Sequence, residues 1–210
     1  MRVRNHANPF SYTQRMSHLD IQSVVPSFVD TLDVEIGFGR GIFLRQYAKQ
    51  NPKRPILGIE LRQSMVEILQ ERITNEGIQN VGLVHGPGQT CLEDVVPDHS
   101  IDRLFIFHPD PWLKKSHHKR RLLNTSFLKL IHQKLSRKGV LYVSTDVSEL
   151  WQEIESYIQS SPLFRPQKND TFFQTCYTSH WDQYSHEDNR HTFSGSFAPH
   201  YQEVYHEIGR

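Results

Sequence analysis

Cysteine is scarce. Cys91 and Cys176 are the only two in 210 residues, and their separation fits neither a disulfide framework nor a thiol redox or metal motif. A reducing cytoplasm is the compartment this predicts. The thirteen histidines fall into no HExxH or Cys/His pattern, so no metal site is expected. No apolar run approaches the length that crosses a bilayer, and the opening MRVRNHANPF lacks the apolar stretch of a secretory signal. No membrane partner is therefore expected. Internal repeats and low-complexity tracts are absent. Excess charge of one sign is absent too: the net charge is +1, so any nucleic-acid contact must come from a local patch.

What is present is a globular composition, with 37% apolar and 22% charged residues, enough for one substantial core. Residues 1–28 are mixed and partly basic, with Arg2, Arg4, His6 and Arg15, and read as an N-terminal basic arm. Residues 29–210 read as a single domain in which strands and helices alternate. TLDVEIG, PILGIE, VGLVH, SIDRLFIFH and VLYVSTD are the expected strands. GIFLRQYAKQ, the stretch after Ser64, LLNTSFLKLIHQKL and SELWQEIESYIQ are the expected helices. Ser64 and Glu67 suggest a capping box, and Gly77 a helix stop. Five strands joined by helices imply a mostly parallel, doubly wound α/β sheet. Beyond Phe164 the chain is rich in aromatics and histidine, and one or two antiparallel strands are expected there.

Two places carry chemistry. DVEIGFGRG, residues 33–41, ends a strand on Glu35 and breaks into Gly37, Gly39 and Gly41. A glycine turn between the first strand and the first helix lets a ligand touch bare backbone at the top of the sheet. The spacing is G-x-G-x-G with an acid two residues ahead, not the G-x-G-x-x-G of dinucleotide binders. Glu60, the first acid after the second strand, suits ribose hydroxyls in either class.

The second place is FIFHPDPWLKKSHHKRR, residues 105–121. The fourth strand opens directly into Pro-Asp-Pro-Trp, so two prolines fix the backbone around Asp110 at the ligand crevice. Lys114, Lys115, Ser116, His117, His118, Lys119, Arg120 and Arg121 follow, with five Lys/Arg in eight residues. A charge run is ordinarily a solvated face, but one adjoining a catalytic loop suits phosphate. Trp112 suits either stacking on a base or bracing the loop.

These residues resemble known families. E-x-G-x-G-x-G is similar to the first motif of class I S-adenosylmethionine methyltransferases. FIFHPDPWLKKSHHKRR resembles the F-P-D-P-W-x-K-x-x-H-x-K-R-R signature of the bacterial tRNA (guanine-N7-)-methyltransferases, and TDVSELWQ, residues 145–152, resembles that family's T-D-x-x-x-Y/W segment. The resemblance runs from Leu32 to about Phe164. It implies a Rossmann-like class I methyltransferase fold, with a seven-stranded sheet and an antiparallel C-terminal strand. It implies S-adenosylmethionine as cofactor, tRNA as partner, and methyl transfer to guanine N7 in the tRNA variable loop by a monomer or weak homodimer. Asp110 takes the catalytic position. Glu35, Gly37, Gly39, Gly41, Glu60, Gly86 and Asp110 match cofactor positions, and Lys114 and Asp146 substrate positions. The run from Lys115 to Arg121 matches RNA contacts.

The sequence departs from the family at three points. His108 replaces a Phe. Gly86 stands where the family carries an acid that recognises adenine, which leaves that task to backbone groups or to a neighbour such as Gln89. The family's T-x-Y/F-E is matched only by Glu203, Val204, Tyr205 and His206, with Gly209 beyond. These departures leave a non-catalytic RNA-binding relative as the alternative. A small-molecule methyltransferase is disfavoured by the basic run, and a nicotinamide oxidoreductase by the glycine spacing.

Overall fold

The computed structural model of the chain describes residues 12, 14–168, 170–175 and 191–201. Its strands are β1 (Leu32–Ile36), β2 (Ile56–Glu60), β3 (Val81–His85), β4 (Ile101–Phe107), β5 (Leu135–Thr145), β6 (Phe164–Pro166) and β7 (Phe193–Pro199). They form one seven-stranded sheet in the order β3-β2-β1-β4-β5-β7-β6. The first five pair in parallel, and β7 runs antiparallel to both β5 and β6. The helices are α1 (Ile21–Val24), α2 (Ile42–Gln50), α3 (Gln63–Asn75), α4 (Gly88–Asp94), α5 (Thr125–Lys134), α6 (Ser148–Ser160) and α7 (Phe172–Thr175).

The strands read as apolar runs because both faces of the sheet are covered. Successive side chains alternate between two layers. On β4, Leu104 and Ile106 join the layer containing Leu128, Ile131, Ile154 and Ile158 of α5 and α6. Phe105 and Phe107 point to the other, with Phe43, Leu44 and Tyr47 of α2 and Leu69 of α3. That second layer is aromatic: Phe43 meets Phe107 edge-on at 4.9 Å, and Phe172 of α7 stacks on Phe105 at 5.2 Å. Asp33 of β1 is turned toward this layer. It is buried because Tyr47 donates to it at 2.6 Å and Arg54 Nε at 2.7 Å.

The chain runs outward through β1, β2 and β3, then crosses back to β4 beside β1. In such sheets the crevice for ligands opens past the carboxyl ends of the strands where the order reverses. The glycine turn and the Pro-Asp-Pro loop follow those two strands.

Some local expectations are corrected. α3 starts at Gln63 with Arg62 at its N-cap and no side-chain cap, so Ser64 lies inside the first turn and forms no capping box. α4 was not foreseen. The helix expected through Leu135 ends at Lys134, and Leu135 already opens β5. In the second half of the stretch read as an N-terminal arm, Met16, Ile21, Val25 and Phe28 all belong to the larger core layer. Arg2, Arg4, His6 and Cys176 lie outside the described residues.

Candidate active site

A cavity of about 530 Å³ lies past the carboxyl ends of β1 to β4, within the range of small-molecule sites. Its wall contains Glu35 from β1, Gly37 and Gly39 from the turn that follows, and Glu60 from the end of β2. Gly86 to Thr90 follow β3, and His108 to Asp110 follow β4. Trp112, Lys119 and Arg120 form part of the lip. The glycine bend and the proline-flanked acid therefore face one cavity.

The turn after β1 has positive φ at Gly37 (80°), Gly39 (56°) and Gly41 (67°). The three differ in what they face. A Cβ at Gly37 would meet nothing within 4 Å, so its backbone is open to a ligand. A Cβ at Gly41 would lie 2.5 Å from Leu69, so this glycine lets α2 begin against α3 and does not line the cavity. Gly41, expected at the cofactor, is not among the residues that line the cavity.

Glu35 is buried, 4% exposed, and its Oε2 has no hydrogen-bond partner among the described residues. Burial pushes its pKa up to about 8, and the charge of Glu60 adds to the effect. A carboxyl stranded at the cavity wall is built to accept from a ligand cation.

Glu60 is already occupied. Its Oε2 accepts from Gly39 N at 2.9 Å and Arg62 Nη2 at 3.3 Å; its Oε1 accepts from Arg62 N at 3.0 Å and Nε at 3.1 Å. The bond to Gly39 ties the end of β2 to the glycine turn. Hydrogen bonding to Glu60 raises the Arg62 pKa, and the Asp110 charge works in the same direction. Arg62 thus stands in the fields of two site acids.

Asp110 is half-buried between two prolines, and the loop around it is bent hard. His108 (φ 46°) and Trp112 (φ 42°) are two of the three non-glycine residues with positive φ among the described residues. Strain of this kind persists where surrounding structure over-determines it. On one side His108 Nδ1 stands 3.4 Å from Asp146 Oδ1, both side chains buried. On the other, Arg120 lies over the Trp112 ring at 5.0 Å. Asp146 sits behind His108 and does not line the cavity itself.

The basic run forms a short 3₁₀ turn over Lys115–Arg120. Lys114, Lys115, Ser116 and Lys119 are exposed; His117, His118 and Arg120 are half-buried. Arg121 points inward, 3% exposed, and donates to Pro111 O at 2.7 Å, to Glu149 at 3.2 Å and to Glu153. Arg121 was expected at RNA; in the fold its guanidinium ties the loop to α6. Glu203, Val204, Tyr205 and His206 lie outside the described residues.

Sequence reasoning missed two neighbours of Gly86. Met16 Cε would sit 1.9 Å from a Cβ at that position, and Tyr12 lines the cavity beside it. Gln89, expected to help there, lines the cavity too, but its amide donates to Glu93 at 2.9 Å. The signal was Gly86 itself: a missing side chain leaves space that another segment must fill.

A family model described as "Putative methyltransferase" matches residues 30–196. Among curated relatives, a tRNA (guanine-N(7)-)-methyltransferase of Nitrosococcus oceani is 36% identical over 137 residues, 65% of this chain and 58% of that protein. One of Shewanella putrefaciens is 34% identical over 152 residues, 72% of this chain and 63% of that protein. The match thus spans less than two thirds of these relatives' length. Among solved structures, the aminoglycoside resistance methyltransferase NpmB1 superposes with a TM-score of 0.55 at 16% identity, covering 90% of this chain and 95% of that one. An antibiotic-related methyltransferase gives 0.56 at 14% identity, covering 92% and 98%. At such identities the structural likeness concerns the fold alone.

Proposed function

The chain belongs to the methyltransferase family whose model spans residues 30–196, and from that premise we propose that it transfers the methyl group of S-adenosylmethionine to N7 of a guanosine in tRNA. The names of the relatives at 34–36% identity support this substrate. The observation that carries the proposal is the stranded Glu35 carboxyl and the proline-flanked Asp110 facing the same 530 Å³ cavity, with Lys119 and Arg120 on its lip.

The residues present fit the cofactor. Glu35 Oε2 has no partner among the described residues and suits the ammonium of the methionyl end. The open backbone at Gly37 admits the ligand's close approach, and Glu60 suits ribose hydroxyls once Arg62 yields. When bound, the cofactor supplies an electrophilic methyl group on sulfonium.

Guanine N7 carries a lone pair and no proton, so no general base is required there. The barrier falls chiefly through alignment, which can supply on the order of 7–11 kcal/mol in favourable cases. In this reading Asp110 accepts from N1–H and N2–H of guanine. That selects guanine and offsets the positive charge arriving on the purine. Asp146 acts through His108, which holds the β4 loop beside it. Lys114, Lys115, Lys119 and Arg120 hold the flanking phosphates. The target base must leave its stack to reach the cavity. The protein acts in the cytoplasm with its tRNA, as a monomer or weak homodimer.

The test is incubation of purified protein with S-adenosylmethionine and unmodified tRNA transcript, followed by digestion to nucleosides and mass spectrometry. New 7-methylguanosine, lost in Asp110→Ala, is expected. RNA binding with no methylated nucleoside would favour a non-catalytic relative.

A further inference from the structure

The end of the cavity beside β3 is closed by the N-terminal segment, and we infer that Tyr12 provides the wall against which the cofactor's nucleobase packs. The inference rests on the cofactor proposed above and assigns a residue to its base end.

Gly86 cannot carry a side chain here. Its φ of 153° is a glycine conformation, and Met16 Cε occupies the place of a Cβ, 1.9 Å away. Tyr12 Cζ stands 3.4 Å from the same point. The two side chains fill the space that a larger residue at 86 would take.

The segment is anchored there. Met16 is 1% exposed, and its N–H donates to Asp94 Oδ2 at 2.7 Å. Arg15 donates to Glu93 at 3.2 Å and pairs with Asp94. Glu93 and Asp94 belong to α4, which starts at the cavity with Gly88. Ile21 and Val25, further along, are buried in the core. Tyr12 is held less firmly, as befits a cavity wall. Its ring meets His85 edge-on at 5.7 Å and 83°, and its hydroxyl makes a long contact of 3.5 Å to the His85 carbonyl. It is half-buried and shares the cavity with Leu61, Gly86, Pro87 and Gln89.

This end of the cavity is chemically distinct. The acids that line the cavity belong to β1 (Glu35), the end of β2 (Glu60) and the loop after β4 (Asp110); among the described residues the β3 end contributes none. It offers a tyrosine ring, a proline and backbone groups, which suit a flat heteroaromatic ring recognised by its face more than by a carboxylate.

The test is calorimetric binding of S-adenosylhomocysteine and of methylthioadenosine, which lacks the amino-acid end, to the full chain. Tyr12→Ala is expected to weaken both ligands about tenfold, the size of one lost stacking contact. Tyr12→Phe is expected to stay within about twofold of wild type for both, since the ring and not the hydroxyl carries the contact. Glu35→Gln is expected to weaken S-adenosylhomocysteine and leave methylthioadenosine unchanged, which separates the two ends. Wild-type affinity in Tyr12→Ala overturns the inference, as does loss of S-adenosylhomocysteine without loss of methylthioadenosine. A wild-type chain that binds neither ligand at millimolar concentration overturns the cofactor reading itself. Melting temperatures of the ligand-free variants within a few degrees of wild type exclude unfolding as the cause.

Discussion

Arg121 donates from Nε to the carbonyl of Pro111 at 2.7 Å, which fastens the last residue of the basic run to the loop that carries Asp110. Its remaining nitrogens reach Glu149 and Glu153 on α6. One arginine thus clamps the acid's loop to a helix of the core layer, while neighbouring cations stay at the surface.

Arg121→Ala should therefore behave as a stability variant. It leaves a buried carbonyl without its donor, and a loss of about 1–3 kcal/mol is expected in chemical denaturation. Lys119→Ala, exposed, should stay within about 0.5 kcal/mol of wild type. Equal stability of the two variants would show that the clamp carries nothing.

The exposed cations predict a different readout. Lys115→Ala and Lys119→Ala should each weaken tRNA binding and reduce the slope of log affinity against log salt by about one. Asp110→Ala should leave both quantities near wild type while turnover falls. Loss of binding in Asp110→Ala as large as in the lysine variants would contradict this division.

The sequence showed five parallel strands, the glycine turn and the acid after β4, because apolar runs and Gly/Pro punctuation are local signals. It did not show which cation in the basic run turns inward, since Lys119 and Arg121 read alike until the 3₁₀ turn sets their directions. α4 escaped notice because its seven residues bury only Gly88, Cys91 and Leu92, too few to show a helical period. Gly86 was visible as an anomaly. Its complement, Tyr12 and Met16, comes from some seventy residues upstream, and only packing joins them.

Glu35 makes folding depend on pH. In the unfolded chain it ionises near 4.5, and in the fold near 8. Between those values the folded state keeps a proton that the unfolded state has lost. The stability this contributes is whole below 4.5 and is lost as pH rises through about 8. Glu35→Gln should flatten that part of the profile in denaturation from pH 5 to 9. Binding of a ligand cation beside Glu35 should release close to one proton at pH 7. Calorimetry of S-adenosylhomocysteine in buffers of different ionisation enthalpy would detect it, and an identical heat in all buffers would rule it out.

Arg62 competes with any ribose for Glu60, since it donates to both carboxylate oxygens. The pair is partly exposed and worth about 0.2–1 kcal/mol. Arg62→Met should therefore tighten S-adenosylhomocysteine binding by a few-fold. Weaker binding would mean that Arg62 aids the ligand instead of yielding to it.

The most direct measurement uses one changed atom in the substrate. A tRNA transcript made with 7-deazaguanosine keeps the N1–H and N2–H groups offered to Asp110 but has carbon in place of N7. With radiolabelled S-adenosylmethionine, the guanosine transcript should gain label as 7-methylguanosine and the deaza transcript none. Equal labelling of the two would place the chemistry at another atom and contradict N7 methylation at this cavity.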